Sequence, residues 1–265
     1  MNNVNKTLYI PLYGKAYVSH KGIILNDKKA EEIWESERFE LKGKSKSKWL
    51  CYYMGMRSAV FDNWLKEKMS EDKNAVIVHI GCGMDSRIER VGTNNHQWYD
   101  VDFPDVITER KRYYKENEFY HMIESDARSN SWINTLPAKQ NAIILLEGVS
   151  MYFTLDELKK LLTSLNNHFS SVELLIDFYT NRAASASKYK NPINDVGVTT
   201  VYGLDEPKLM EDNTGLKFIS ELDMTPPEMI NELKGAEKFI FKHVFGGKFS
   251  KGMYRLFYYC TNTPI

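Results

Sequence analysis

The chain of 265 residues has no net charge, with 35 basic and 35 acidic side chains. No basic field therefore directs it to nucleic acid or to an anionic membrane. Cysteine is scarce. Cys51, Cys82 and Cys260 lie far apart with no CxxC spacing, which argues against a disulfide framework and a thiolate zinc site and makes a reducing, cytoplasmic setting the expected one. The six histidines show no HxxxH or comparable spacing, so no metal is expected. The apolar run over 142–153 is cut by Glu147, and the opening MNNVNKTLYIPLYGKA has no charged-then-apolar signal layout, so a soluble protein is expected. Repeats and low-complexity tracts are absent. What is present, 43% apolar residues, is enough for the core of one large α/β domain.

The chain is organised around residues 75–85, AVIVHIGCGMD. A buried-strand run breaks there into Gly81-Cys82-Gly83 ahead of a polar segment that can open a helix. Before it, residues 1–26 read as an irregular arm, extended over 7–10 and turning near Gly14. Asp27 caps a helix to about Arg38, residues 41–47 (LKGKSKS) read as an exposed loop, and residues 48–69 form a long helix lying on a core. After the glycines, strands over 97–102, 119–124, 142–146 and 172–178 alternate with helices over 85–91, 105–117 and 154–168. Thr154 and Glu157 form a capping box for the last of these. Beyond residue 178 the pattern loosens into a candidate cap over 179–203, a helix over 205–212, a strand over 216–222, one or two helices over 226–245 and a last strand over 253–260. The expected organisation is an N-terminal arm with helical cap elements (1–70) packed on a core domain (71–265) as one structural unit.

Four successive strand ends deliver Gly81-x-Gly83, Asp102, Asp126 and Glu147 to one edge of the sheet. Open α/β sheets bind nucleotides in that crevice, and a carboxylate about 20 residues after the glycines is placed for ribose hydroxyls. The third glycine of GxGxxG is missing. Ser86 stands in its place and Asp85 at the helix start would repel a pyrophosphate. A cationic nucleoside suits such a site better, and S-adenosylmethionine carries an ammonium and a sulfonium without a phosphate. His79, inside the first strand, reads as a packed core histidine, and Cys82 as a small filler. Tyr152 and Tyr179 are placed to face the pocket.

The stretches VHIGCGMDSR, WYDVDFPDVITERKR, ESDARS and LLEGVSMYFTLDELKKLL, in that order, resemble the leucine carboxyl methyltransferase family. TLYIPLYGKA is similar to its bacterial, tetracenomycin-like branch of polyketide-type O-methyltransferases. The resemblance covers roughly residues 5–180. It implies an α/β, class I S-adenosylmethionine-dependent (Rossmann-like) methyltransferase fold, a seven-stranded sheet with its last strand antiparallel. It also implies cofactor-binding roles. Gly81 and Gly83 would bring backbone to the methionine part, Asp102 would hold the ribose, and Asp126 with the backbone of Ala127 would meet adenine. Glu147 would line the methyl side, Arg57 would pair with the cofactor carboxylate, and Lys15 would add a basic contact to cofactor or substrate.

The expected reaction is in-line transfer of the sulfonium methyl to an oxygen of a small-molecule acceptor, carboxylate or hydroxyl. A carboxylate is ionised at neutral pH and needs no base; a phenol, with a pKa near ~10, does. Asp177, at the end of the fifth strand, and Tyr152 are the candidate catalytic residues. Other readings stay open: methylation of a protein C-terminus, a cofactor-binding protein that transfers nothing, and an NAD-dependent oxidoreductase. A monomer and a homodimer are equally compatible with the sequence.

Overall fold

The computed structural model describes residues 7–37, 41, 43–190 and 200–261. Helix α1 spans Tyr9–His20, where an irregular, partly extended arm was expected. Pro11 lies in its first turn, where a missing N–H breaks no bond. Gly14 is a contact, not a turn. A Cβ there would stand 2.6 Å from Met54 Cβ, and one on Gly55 2.7 Å from Val18 Cγ2. The two glycines thus let α1 lie directly on the long helix α3.

Helix α2 (Lys28–Glu37) begins at Asp27, whose Oδ1 accepts from the Ala30 N–H at 2.9 Å; the expected end at Arg38 falls outside the described residues. The stretch expected as an exposed loop instead holds a 3-10 turn, Gly43–Lys46, with Leu41 and Ser45 buried. Helix α3 (Lys48–Glu71) follows, and it buries Arg57, Ser58 and Asp62 along with its apolar residues.

The sheet then builds through β1 (Val76–Ile80), α4 (Arg87–Val91), β2 (Trp98–Asp102), α5 (Pro104–Arg110), β3 (Tyr120–Glu124), β4 (Asn141–Leu146), α6 (Leu155–His168) and β5 (Ser171–Tyr179). Helix α5 is shorter than the expected 105–117, because the N–H groups of Tyr113 and Tyr114 both close onto the Arg110 carbonyl and turn the chain toward β3. Helix α6 has its capping box: Glu157 N–H donates to Thr154 Oγ1 at 3.2 Å and Thr154 N–H to Glu157 Oε2 at 2.8 Å. The rest of the chain forms α7 (Asn181–Lys190), β6 (Leu216–Leu222), α8 (Pro227–Glu232), α9 (Gly235–Ile240), a π-helical turn (Phe241–Phe245), α10 (Lys248–Lys251) and β7 (Tyr254–Thr261). Of the expected cap over 179–203, residues 191–199 lie outside the described set. The helix expected over 205–212 is only a 3-10 turn, Pro207–Met210.

Strand order is β3-β2-β1-β4-β5-β7-β6. All neighbours pair parallel except β7, which runs antiparallel to both β5 and β6. Alternation along the central strands divides the core in two. Ile77, Ile143 and Leu175 face a layer of α1, α2 and α3, whereas Val78, Ile144 and Leu174 face α6. Order reverses at β1, which has β2 on one side and β4 on the other, and a crevice opens outside the strand ends at that point. No helix among the described residues is long and apolar enough to cross a membrane.

Candidate active site

The crevice is a cavity of about 520 Å³. Of the residues singled out from sequence, Lys15, Arg57, Gly81, Gly83, Asp102, Asp126, Ala127, Glu147 and Tyr152 all line it, and Asp177 does not. At its floor, Gly81 and Gly83 adopt left-handed φ of 69° and 50°, a conformation that glycine reaches without strain. A Cβ on Gly81 would meet Val149 Cγ2 at 2.1 Å. The bare backbone therefore holds the β1 and β4 loops together while leaving room beside them. Replacing Gly81 by alanine is expected to destabilise the fold by about 2 kcal/mol, through left-handed strain plus overlap, and to abolish cofactor binding. Adding Val149→Ala should return the overlap part alone, as thermal denaturation of both variants would reveal; equal stabilities of Gly81→Ala and wild type would refute the assignment.

Asp102 ends β2 and is held from below. Its Oδ2 accepts the Gly83 N–H at 2.7 Å and its Oδ1 the Phe103 N–H at 2.8 Å. Burial pushes its carboxyl up to about 6 against the pull of those two N–H groups. Asp126 lies at the rim in a tight turn, where Arg128 Nη2 pairs with its Oδ2 at 2.6 Å. This hydrogen bond outweighs burial and holds its pKa below the usual value.

Behind the Glu147 end of the cavity lies a network of buried ions. Arg57 Nε donates to Glu147 Oε1 at 3.0 Å, Arg87 Nη2 binds Glu147 Oε2, and Arg87 Nε donates to Asp62 Oδ1 at 2.6 Å. Arg90 joins Asp62 and Asp27, each at 2.6 Å, and Lys15 Nζ pairs with Asp85 Oδ2 at 2.9 Å. Arg57 Nη1 also reaches Asp177 Oδ2 at 3.2 Å and the Tyr254 hydroxyl at 3.3 Å. Four cations thus meet the five carboxylates of Asp27, Asp62, Asp85, Glu147 and Asp177. Burial works to raise Glu147 and Asp85, but the arginines and Lys15 outweigh it; Glu147 falls to about 2 and Asp85 lies well below the carboxylate range. Asp177 escapes this: burial lifts it to about 7 against the pull of Arg57.

A second buried cluster fixes the glycine turn. Arg110 donates from Nη1 to the carbonyls of Gly83 (3.1 Å) and Asp85 (2.6 Å), and from Nη2 to Asp100 Oδ2 at 2.5 Å. His79 is a buried core residue, with Nδ1 3.3 Å from Asp100 Oδ1 and Nε2 3.3 Å from Arg87 Nη1. Cys82 is buried and its thiol is pushed well up by burial, which suits filler. Sequence reasoning missed Asp27, Asp62, Arg90, Asp100 and Arg110. The available signal was charge inside apolar runs: Asp62 amid Val60, Phe61 and Trp64, and Asp100 between Tyr99 and Val101.

These residues fit an adenosyl cofactor. The backbone of Gly81 and Gly83 lines the cavity at the end of β1, and a desolvated carboxylate, Asp102, lines it at the end of β2. Together with a sheet in which only β7 is reversed, they define a class I S-adenosylmethionine-dependent methyltransferase.

Comparison with known proteins narrows the class. The profile of the leucine carboxyl methyltransferase family matches residues 8–166. The tetracenomycin polyketide synthesis O-methyltransferase TcmP of Streptomyces glaucescens is 25% identical over 243 residues, 91% of this chain and 90% of that protein. The S-adenosyl-L-methionine-dependent methyltransferase dpfgK of Gibberella zeae is 24% identical over 242 residues, 82% of this chain and 81% of that one. Among solved structures, a Thermobifida fusca YX protein shares the fold with a TM-score of 0.58 over 94% of either chain at 11% identity. The magnesium protoporphyrin IX methyltransferase ChlM of Synechocystis PCC 6803 with bound SAH does so with a TM-score of 0.51 at 10% identity, over 96% of this chain and all of that one. The chain belongs to the leucine carboxyl methyltransferase family, and it is an S-adenosylmethionine-dependent O-methyltransferase.

Proposed function

We propose that the acceptor is a small, largely apolar molecule that offers one oxygen to the methyl group. The observation that carries this reading is the cavity wall on the side of α3 and β7. Leu50, Tyr53, Met54, Met224, Phe249 and Met253 line it, giving an apolar surface that methionines let adapt to irregular shapes. Bound S-adenosylmethionine supplies an electrophilic methyl on a sulfonium. The chain's own residues hold and exclude. Gly81 and Gly83 admit the methionine part, Asp102 accepts from the ribose hydroxyls, and Asp126 with the backbone of Ala127 meets the adenine. Glu147, Arg57 and Lys15 surround the amino-acid end. With the acceptor packed against this wall, orientation of acceptor and methyl in near-attack geometry can contribute ~7–11 kcal/mol.

Wild-type protein with S-adenosylmethionine is expected to methylate members of a panel of aromatic carboxylic acids and phenols, scored by mass spectrometry. A peptide ending in a free leucine carboxylate should go unmodified. Methylation of the peptide alone would overturn the small-molecule reading.

A further inference from the structure

The segment after α8 turns an apolar face outward. Helix α9 and the π-helical turn run on without a break over residues 235–245, and the inner side of that run is well seated. Phe241 is buried against the rings of Tyr52 and Tyr53 at 5.9 and 5.3 Å, and Phe245 stacks on Trp49 at 5.0 Å. The outer side faces solvent. Phe239 is 65% exposed and Val244 51%, Ile240 is exposed beside them, and beyond the turn Phe249 and Met253 are exposed too. These are five of the eight large apolar side chains exposed among the described residues, so they form a patch and not the usual scatter. Charge in the same segment is one-sided. Lys234, Lys238, Lys242, Lys248 and Lys251 have no carboxylate partner among the described residues. The one acid between residues 234 and 253, Glu237, is taken up by Lys21 at 3.2 Å and Lys48 at 2.9 Å, and Glu232 just ahead turns back to the Ile24 N–H at 2.6 Å. The zero net charge of the whole chain hides this local excess.

We propose that this face docks on an anionic lipid bilayer, with the mouth of the cavity at the interface. Apolar tips set among lysines match such a surface: rings and branched chains enter the boundary between headgroups and acyl chains while the lysines meet lipid phosphates and carboxylates. A second copy of the chain suits the face less, because a two-fold contact would set the same lysines against themselves. An acidic protein would answer the lysines alone. A bilayer answers them and also accounts for the cavity, since Phe249, 48% exposed, and Met253 both line it. The apolar wall of the cavity thus runs out onto the docking face. Resting on the proposed small-molecule reading, this gives the acceptor a source: an apolar molecule dissolved in the bilayer enters the cavity along Phe249 and Met253.

The test is co-sedimentation of the wild-type protein with vesicles of mixed phosphatidylserine and phosphatidylcholine, beside vesicles of phosphatidylcholine alone. Wild type should sediment with the anionic vesicles, less so as salt is raised, and only weakly with the neutral ones. Each lysine brought to an anionic surface strengthens binding about fivefold, so Lys242→Gln combined with Lys248→Gln should weaken it about 30-fold. Phe239→Ser combined with Val244→Ser should weaken it about tenfold. All four side chains are exposed, so both double variants should melt with the wild type and methylate a dissolved acceptor at its rate. Absence of wild-type binding to anionic vesicles at low salt, or binding that neither double variant weakens, would overturn the proposal. So would dimerisation that the Phe239 and Val244 changes abolish, or binding to poly-glutamate, in place of vesicle binding. Methyl transfer to the panel of dissolved acids and phenols needs no vesicle, so failure of the small-molecule reading would show there and not in sedimentation.

Discussion

Arg87→Met is expected to lower the unfolding free energy by about 3–5 kcal/mol, the range for removing one partner from a buried ion pair. For a chain of 265 residues that corresponds to a fall in Tm of roughly 10 °C. The guanidinium is fully buried and serves Asp62 at 2.6 Å, Glu147 and Asp85 (3.6 Å) at once. Methionine fills much of the same volume, so the loss would come from charge and not from a cavity. Arg90, Arg57 and Lys15 still reach these carboxylates individually, which is why the upper end of the range is a ceiling. The pH dependence fixes the cause. Glu147 and Asp85 have lowered pKa values in the folded protein, so their contribution is fully present above the unfolded values near ~4 and fades as pH falls through the folded ones. In the variant the carboxylates lose that support. The gap between wild type and Arg87→Met should be wide at neutral pH and narrow below pH ~4, toward the folded value of Glu147, about 2, as calorimetric melts at a series of pH values would report. A constant gap would mean that packing, not charge, was lost.

Asp102→Asn should weaken S-adenosylmethionine binding about 100-fold. Hydrogen bonds to a charged group contribute roughly 1.5–3 kcal/mol each, and about 2.7 kcal/mol is that factor. The amide also sets an NH2 group against one of the two N–H donors, from Gly83 and Phe103, that the carboxylate now satisfies, so the glycine turn loosens too. Titration with S-adenosylhomocysteine separates two causes. If Asp102 acts on ribose hydroxyls, both ligands lose affinity equally; if it acts on the sulfonium charge, only S-adenosylmethionine does. Because burial raises Asp102 to about 6 in the free protein, its contribution to stability is present at low pH and lost as pH rises through 6. Hydroxyl donors favour the ionised form, so wild-type affinity should climb across that interval and the variant should stay flat. Unaltered binding by Asp102→Asn would remove Asp102 from the site.

How far the sequence could be read depended on distance along the chain. Strand β1, its glycine turn and the acids closing β2, β3 and β4 were legible because each element carries its own local signal: a run of apolar residues, a break, a polar end. Parallel topology then brings those ends to one edge. The capping box of α6 is likewise a four-residue pattern. Helix α1 was misread because Pro11 and Gly14 look like breakers, and only the approach of Met54, forty residues away, shows that Gly14 serves packing.

By itself, then, the sequence determined an α/β domain with glycines and acids at one edge of its sheet, and nine of the ten residues singled out from it line one cavity. Only the tertiary structure decided how charge is distributed around it. Lys15, Asp27, Arg57, Asp62, Asp85, Arg87, Arg90, Glu147 and Asp177 come from six separate stretches, and a carboxylate in the sequence carries no mark of whether it will meet water or a guanidinium. The same holds for Asp177, a candidate catalytic residue by sequence, which the tertiary structure buries beside Arg57 and keeps off the cavity lining. Pairing across the sheet is a long-range event, and electrostatics in a desolvated interior is set by such neighbours and not by local sequence.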